Sequence, residues 1–168
     1  QEPSYYVEKC ETSEEKKEKL LQALTCLPRP LIIYTTLISD QPDNGYIGIE
    51  GVKGWLEEEG YKRYKIVTGT GNSFSSTPSP VAIKNIQCQG EESEDIDIVL
   101  ATSAFGLGID IPDIRTVIHV CIPQSIERFY QEVGRSGRDG RASASLLLYE
   151  DVDIRQAAGM VKNNNALL

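Results

Sequence analysis

Leu31-Ile32-Ile33-Tyr34, followed by Thr35 and Thr36, is an unbroken apolar run set directly after Pro28 and Pro30. A strand with one wet face alternates apolar and polar residues. A continuous run marks a strand covered on both faces, as in a parallel sheet. Ile96 to Thr102 and Arg115 to Val120 read the same way, and Pro123 ends the second of these runs. Tyr64-Lys65-Ile66-Val67 and Ala144 to Tyr149 add two more strands, and Tyr5-Tyr6-Val7 is a short aromatic and β-branched candidate.

Helical patterns lie between these runs. Thr12 and Glu15 form a capping box, in which hydroxyl and carboxylate each satisfy a free backbone donor. Leu20, Leu21, Leu24 and Leu27 follow at helical spacing, with Glu and Lys assigned to the other faces. Val52 to Glu59 reads as a short amphipathic helix stopped by Gly60, with Trp55 in the core. Ser125 caps a helix through Val133, whose apolar face is Ile126, Phe129, Tyr130 and Val133. From Asp151 the tail is expected to be partly helical, fraying from about residue 155 to Asn163-Asn164-Asn165.

Three segments read as loops. Pro42, Gly45, Gly48 and Gly51 interrupt Ser39 to Gly51, Asn72 to Pro80 is rich in Ser, Thr and Pro, and Glu91 to Asp95 is a solvated acidic cluster. A weak helix is expected over Val81 to Gln87. Strands alternating with helices predict one α/β domain over residues 1–168, built on a mostly parallel sheet flanked by helices. Ligands of such sheets bind beyond the carboxyl ends of the strands. Thr35, Thr68, Thr102 and the Ser103–Asp110 turn all follow strands, so phosphate-binding residue types are expected on that one edge.

The densest chemical signal is Gln131-Glu132-Val133-Gly134-Arg135-Ser136-Gly137-Arg138-Asp139-Gly140-Arg141. Glycine lets a backbone turn tightly and approach a ligand closely. Arginine is always charged, and its planar fork matches phosphate oxygens. Arg135 and Arg138, three residues apart, can be aimed the same way, as two guanidinium groups offered to a triphosphate would be.

A net charge of −8 argues against a free-standing basic nucleic-acid-binding module. Phosphate contacts through backbone N–H groups and hydroxyls remain compatible with it. Cys10, Cys26, Cys88 and Cys121 are scattered, form no CxxC pair and have one histidine, His119, for company, so no metal site is expected. Free thiols fit a reducing, cytoplasmic setting. His119 reads as a packed residue of its strand. No transmembrane run or signal peptide is visible, and a start on Gln1 is expected of a piece of a longer chain.

Ile98-Val99-Leu100-Ala101-Thr102-Ser103-Ala104-Phe105-Gly106-Leu107-Gly108-Ile109-Asp110-Ile111-Pro112-Asp113 resembles motif V of superfamily 2 helicases in its RecQ-like form, and Gln131 to Arg141 resembles motif VI. The resemblance implies a RecA-like three-layer sandwich, the second of two such lobes, with ATP in the cleft between them and a 3′-to-5′ DNA motor as the whole. It implies Arg138 as arginine finger, Arg135 on the same phosphate, and Gln131 coupling nucleotide to the interlobe contact. It further implies Gly108 and Asp110 near the nucleotide, Thr102 on a nucleic-acid phosphate, and Thr35 and Gly69 along the same backbone track. The chain has no GxxxxGK[ST] and no DExH, so the P-loop, the magnesium ion and the water-activating carboxylate are expected from a preceding RecA-like domain. An RNA track, a non-catalytic remnant and a plain nucleotide-binding protein are the competing readings. The segments 39–51 and 72–80 depart from the family pattern.

Overall fold

The computed structural model describes residues 3–36, 40, 45–62, 64–67, 98–102, 114–123, 125–134, 136, 137 and 141–166. Six strands form one sheet: β1 (Ser4–Lys9), β2 (Leu31–Thr35), β3 (Lys65–Val67), β4 (Ile98–Thr102), β5 (Thr116–His119) and β6 (Ala144–Tyr149). Their order is β1-β6-β5-β2-β4-β3, and every pairing is parallel. The helices are α1 (Ser13–Cys26), α2 (Ile49–Glu58), α3 (Ile126–Val133) and α4 (Asp151–Ala166).

The run Leu31-Ile32-Ile33-Tyr34 explains the layering. Leu31 and Ile33 face a core built with Leu20 and Leu24 of α1 and Val52 and Leu56 of α2. Ile32 and Tyr34 face the opposite way, toward Val99, Val117 and Val133. Side chains alternate between faces along a strand, so a strand that is apolar at every position must be covered on both sides. The result is a RecA-like α/β sandwich with α1 and α2 on one face and α3 on the other.

The outer strand β1 is longer than the expected Tyr5–Val7, is exposed at all six positions and pairs with β6 alone. The start of α1 follows the capping box with one difference. Thr12 Oγ1 accepts from Glu15 N–H at 3.1 Å, while the Glu15 carboxylate accepts from Glu11 N–H at 2.8 Å, one residue before the cap. Helix α4 continues to Ala166, beyond the partial helix expected. Its first turn is closed by Asp153, whose carboxylate accepts from Glu150 N–H at 2.7 Å, and the N–H groups of Asp153 and Ile154 both reach Glu150 O.

The glycine-broken region, expected to be a loop through Gly51, gives way to α2 at Ile49. The cap of this helix comes from a distance: Asp40 Oδ1 accepts from Gly48 N–H at 2.8 Å and from Gly51 N–H at 2.9 Å. A Cβ at Gly51 would lie 2.8 Å from both Asp40 carboxylate oxygens and from Ile47 Cγ2, so Asp40 would have to move out of its capping position. Gly51→Ala should therefore destabilise by roughly 1–2 kcal/mol, through loss of the cap, despite alanine's better helix propensity. Urea unfolding measures this, and an unchanged or raised midpoint would contradict the role of Asp40.

Among the described residues Cys10 and Cys121 are buried and Cys26 is exposed. Burial raises the Cys10 thiol and pushes Cys121 up to about 12. A brief iodoacetamide pulse on the native protein at pH 8 should alkylate Cys26 and spare Cys10 and Cys121 until denaturant is added. Peptide mapping that finds Cys121 labelled as fast as Cys26 would overturn the packing described. Cys88, the segment 72–80, the expected helix over 81–87 and the acidic cluster over 91–95 lie outside the described residues.

Candidate functional site

At the carboxyl rim of the sheet, Thr35 ends β2 and Thr102 ends β4, and the two are paired in register. Thr35 is buried and Thr102 half-buried. Behind them sits a buried polar layer. Cys121 lies 3.8 Å from Tyr34 O, and the Tyr46 phenol is pushed well above its ordinary value, chiefly by burial. Lys16 of α1 reaches into the same rim, where its ammonium donates to Val120 O at 2.9 Å and to Asp153 Oδ2 at 2.7 Å. Glu150 Oε2 is 3.1 Å away. The sequence pattern puts Lys16 on the polar face of α1, but it lies one turn before Leu20 on the buried stripe.

The arginine-bearing turn is at the other rim. Helix α3 starts beyond the carboxyl end of β5 and runs back across the sheet, so its last residue, Val133, returns toward the strands' amino ends. Gly134 N–H donates to Tyr130 O at 2.8 Å, and both the N–H and the hydroxyl of Ser136 reach Val133 O, at 3.0 and 2.8 Å. Gly137 takes a left-handed φ of +70° and donates its N–H to Ile114 O at 3.1 Å, just ahead of β5. Thr35 and Thr102 lie on the carboxyl edge as expected, Thr68 and Ser103–Asp110 fall outside the described residues, and Gly134, Ser136 and Gly137 lie at the other edge. The turn flanks the amino ends of β5 and β6, about 15 Å from Thr35 and Thr102 by the length of a five-residue strand.

Of the residues singled out by sequence, Thr35, Thr102 and Gln131 are described, and Gln131 is exposed on α3. Arg135, Arg138, Gly108, Asp110 and Gly69 lie outside the described residues. Their flanks are informative. Gly137 adjoins Arg138, and Ile114 follows Asp110 by four residues, so one backbone hydrogen bond ties the flank of the motif VI-like turn to the flank of the motif V-like segment.

The apolar face assigned to α3 is only half used. Val133 is buried and Phe129 partly so, whereas Ile126 is 71% and Tyr130 58% exposed. An eight-residue helix set against β5 and β2 covers the sheet with one narrow stripe, and Ile126 and Tyr130 fall outside it. Sequence reading also missed Glu132. This residue is buried in the last turn of α3, with Oε1 3.6 Å from Nε2 of the fully buried His119. His119 is packed as expected, between the rings of Tyr34 and Phe129, each 5.2 Å away. No group of His, Cys, Asp and Glu suited to a metal occurs among the described residues.

Residues 51–140 match the family model described as "Helicase conserved C-terminal domain". The chain belongs to this family. Within it the chain is RecQ-like. It is 45% identical over 84 residues to the "RecQ-like DNA helicase BLM" of Xenopus laevis, a match covering 48% of this chain and 6% of that protein. It is 50% identical over 62 residues to the "ATP-dependent DNA helicase RecQ" of Bacillus subtilis, covering 37% of this chain and 10% of that one. The chain thus corresponds to a small part of the length of these relatives. Among solved structures, the E. coli DEAD-box protein SrmB superposes with a TM-score of 0.65 at 22% identity, over 96% of this chain and 84% of that one. The C-terminal domain of the DEAD-box protein Dbp5 gives 0.60 at 16% identity, again over 96% and 84%. At these identities the likeness of the helicase C-terminal domain to both is one of fold. No described helix is long and apolar enough to cross a membrane.

Proposed function

We propose that this helicase C-terminal domain is the second motor lobe of an ATP-dependent 3′-to-5′ DNA helicase. It supplies arginines to ATP and magnesium gripped by a P-loop lobe and grips the DNA backbone itself. The observation that carries the reading is the hydrogen bond from Gly137 N–H to Ile114 O. That bond joins Gly137, the neighbour of Arg138 in the chain, to Ile114, four residues after Asp110. A nucleotide is compatible with the flanks described: Gln131 is exposed, and the left-handed Gly137 brings the backbone round immediately before Arg138.

In this reading Arg138 stabilises charge on the γ-phosphoryl group, Arg135 contacts the same phosphate, and Gln131 transmits the contact to α3. Gly108 allows close approach, and Asp110 accepts from a ribose hydroxyl. ATP with magnesium supplies the free energy of phosphoryl transfer when bound, and the metal is held by the other lobe. On the opposite rim Thr102, Thr35 and Gly69 track nucleic-acid phosphates. Such contacts position without reading sequence. DNA is favoured over RNA because relatives at 45–51% identity bear the names of DNA helicases, although threonine–phosphate contacts alone would serve either sugar. The two ligands then lie at opposite edges of one parallel sheet, at the amino ends of β5 and β6 and the carboxyl ends of β2 and β4, so a stiff sheet couples them.

The isolated chain should hydrolyse no ATP, with or without single-stranded DNA. The same chain joined to a P-loop lobe should show turnover stimulated by single-stranded DNA. Stimulated turnover from the isolated chain, or a silent two-lobe protein, would refute the proposal.

A further inference from the structure

Glu132 and His119 form a pair that stability alone does not explain. Both are buried, Glu132 at 3% and His119 at 0% exposure. Their closest approach, 3.6 Å from Nε2 to Oε1, is an ion-pair distance and too long for a hydrogen bond. Among the described residues, both ring nitrogens of His119 and both carboxylate oxygens of Glu132 have no hydrogen-bond partner. Buried polar atoms are nearly always satisfied, and four unsatisfied atoms in one contact are costly. Glu132 also sits in the last turn of α3, where the helix dipole opposes a carboxylate. Yet the contact is held firmly, because Tyr34 and Phe129 flank the imidazole.

Glu132 directly precedes the arginine turn in the chain, and its side chain reaches His119 at the carboxyl end of β5, in register with Tyr34. Glu132 precedes Arg135 by three residues, and the next residue, Val133, provides the carbonyl that anchors Ser136. His119 closes β5, and Ile114, two residues ahead of that strand, anchors Gly137. The turn therefore hangs between two elements, α3 and β5, and the pair joins those elements through side chains. We propose that Glu132 and His119 are positioning residues. Their buried contact fixes the last turn of α3 against β5 and so sets where the backbone leaves the helix at Gly134, at the start of the arginine-bearing stretch. This rests on the motor reading above.

The test compares two variants with the wild type, each as the 168-residue chain for thermal unfolding and joined to the P-loop lobe for steady-state ATP turnover. Glu132→Gln keeps shape and removes charge. Glu132→Met combined with His119→Phe fills the site with apolar groups. The double variant removes the unsatisfied buried polar atoms, so its unfolding midpoint should equal or exceed that of the wild type. The kcat should fall at least about tenfold, with KM for ATP changed less than about threefold, as expected when alignment at the transition state is lost but ground-state binding is kept. A lowered midpoint in the double variant would make the pair a structural contact and overturn the proposal, as would unchanged kcat in both variants. A wild-type two-lobe protein without turnover is a different failure: it removes the motor reading on which this one rests.

Discussion

Arg138→Ala, in the protein carrying both lobes, is expected to lower ATP turnover by about a thousandfold or more while leaving KM for ATP within about threefold. The asymmetry follows from what the residue is asked to do. A guanidinium reaching the γ-phosphoryl group from a second lobe meets little extra charge in the ground state. It matters as the bond to the leaving group breaks and charge spreads over the phosphoryl oxygens. Arg138→Lys should recover little, since an ammonium is a point charge without the planar fork. Rapid-quench and steady-state assays with and without single-stranded DNA decide this. A rise in KM with unchanged kcat would make Arg138 a binding residue and nothing more. Unchanged turnover would remove it from the chemistry.

The position of the turn bears on that expectation. Gly137 N–H on Ile114 O means that Arg138 adjoins a backbone atom already fixed to the sheet. Pre-organisation of this kind lowers the entropy lost on reaching the transition state. In the proposed motor it also puts nucleotide chemistry at the strands' amino ends and the threonine pair at their carboxyl ends. A motor needs its fuel site and its track to be distinct, and a rigid strand between them transmits a change at one as a displacement at the other.

Much of the fold is legible in the residues. Leu31-Ile32-Ile33-Tyr34 fits only a doubly covered strand, and its neighbours β4 and β5 are such strands. What escapes the sequence is set by contacts distant along the chain. The start of α2 depends on Asp40, eight residues before the N–H at Gly48 that it caps. No local pattern signals a carboxylate that arrives from so far upstream. The rim assignment holds for Thr35 and Thr102 because they end strands, whereas Gly134, Ser136 and Gly137 follow a helix and so return to the amino side. Glu132 is hidden by its company, since in a stretch with three arginines a glutamate reads as surface. Lys16 carries a signal that its charge obscures. With Leu20, Ala23 and Leu24 it completes the i, i+4, i+7, i+8 stripe that α1 buries.

Lys16→Met is expected to destabilise the domain by roughly 3–5 kcal/mol, a fall on the order of 10 °C in unfolding midpoint for a chain of this size. Methionine is close to lysine in volume, so packing is kept and the loss is electrostatic. Asp153 and Glu150 would then face one another across a site from which their cation has gone, with the Asp153 side chain almost wholly buried. Burying an uncompensated carboxylate is far more costly than forgoing a surface ion pair. The site also binds α1, α4 and the end of β5 together, because Lys16 donates to Val120 O as well as to Asp153. A double-mutant cycle separates these contributions. In an Asp153→Asn background, Lys16→Met should cost markedly less, since the stranded charge is smaller, while the amide's carbonyl oxygen can still accept from Glu150 N–H as the carboxylate does. Equal costs in the two backgrounds would mean that the ion pair contributes nothing beyond the aliphatic stem of Lys16. A loss under about 1 kcal/mol in the single variant, the scale of an exposed ion pair, would mean that water reaches the carboxylates, and that α1 and α4 are joined by apolar packing alone.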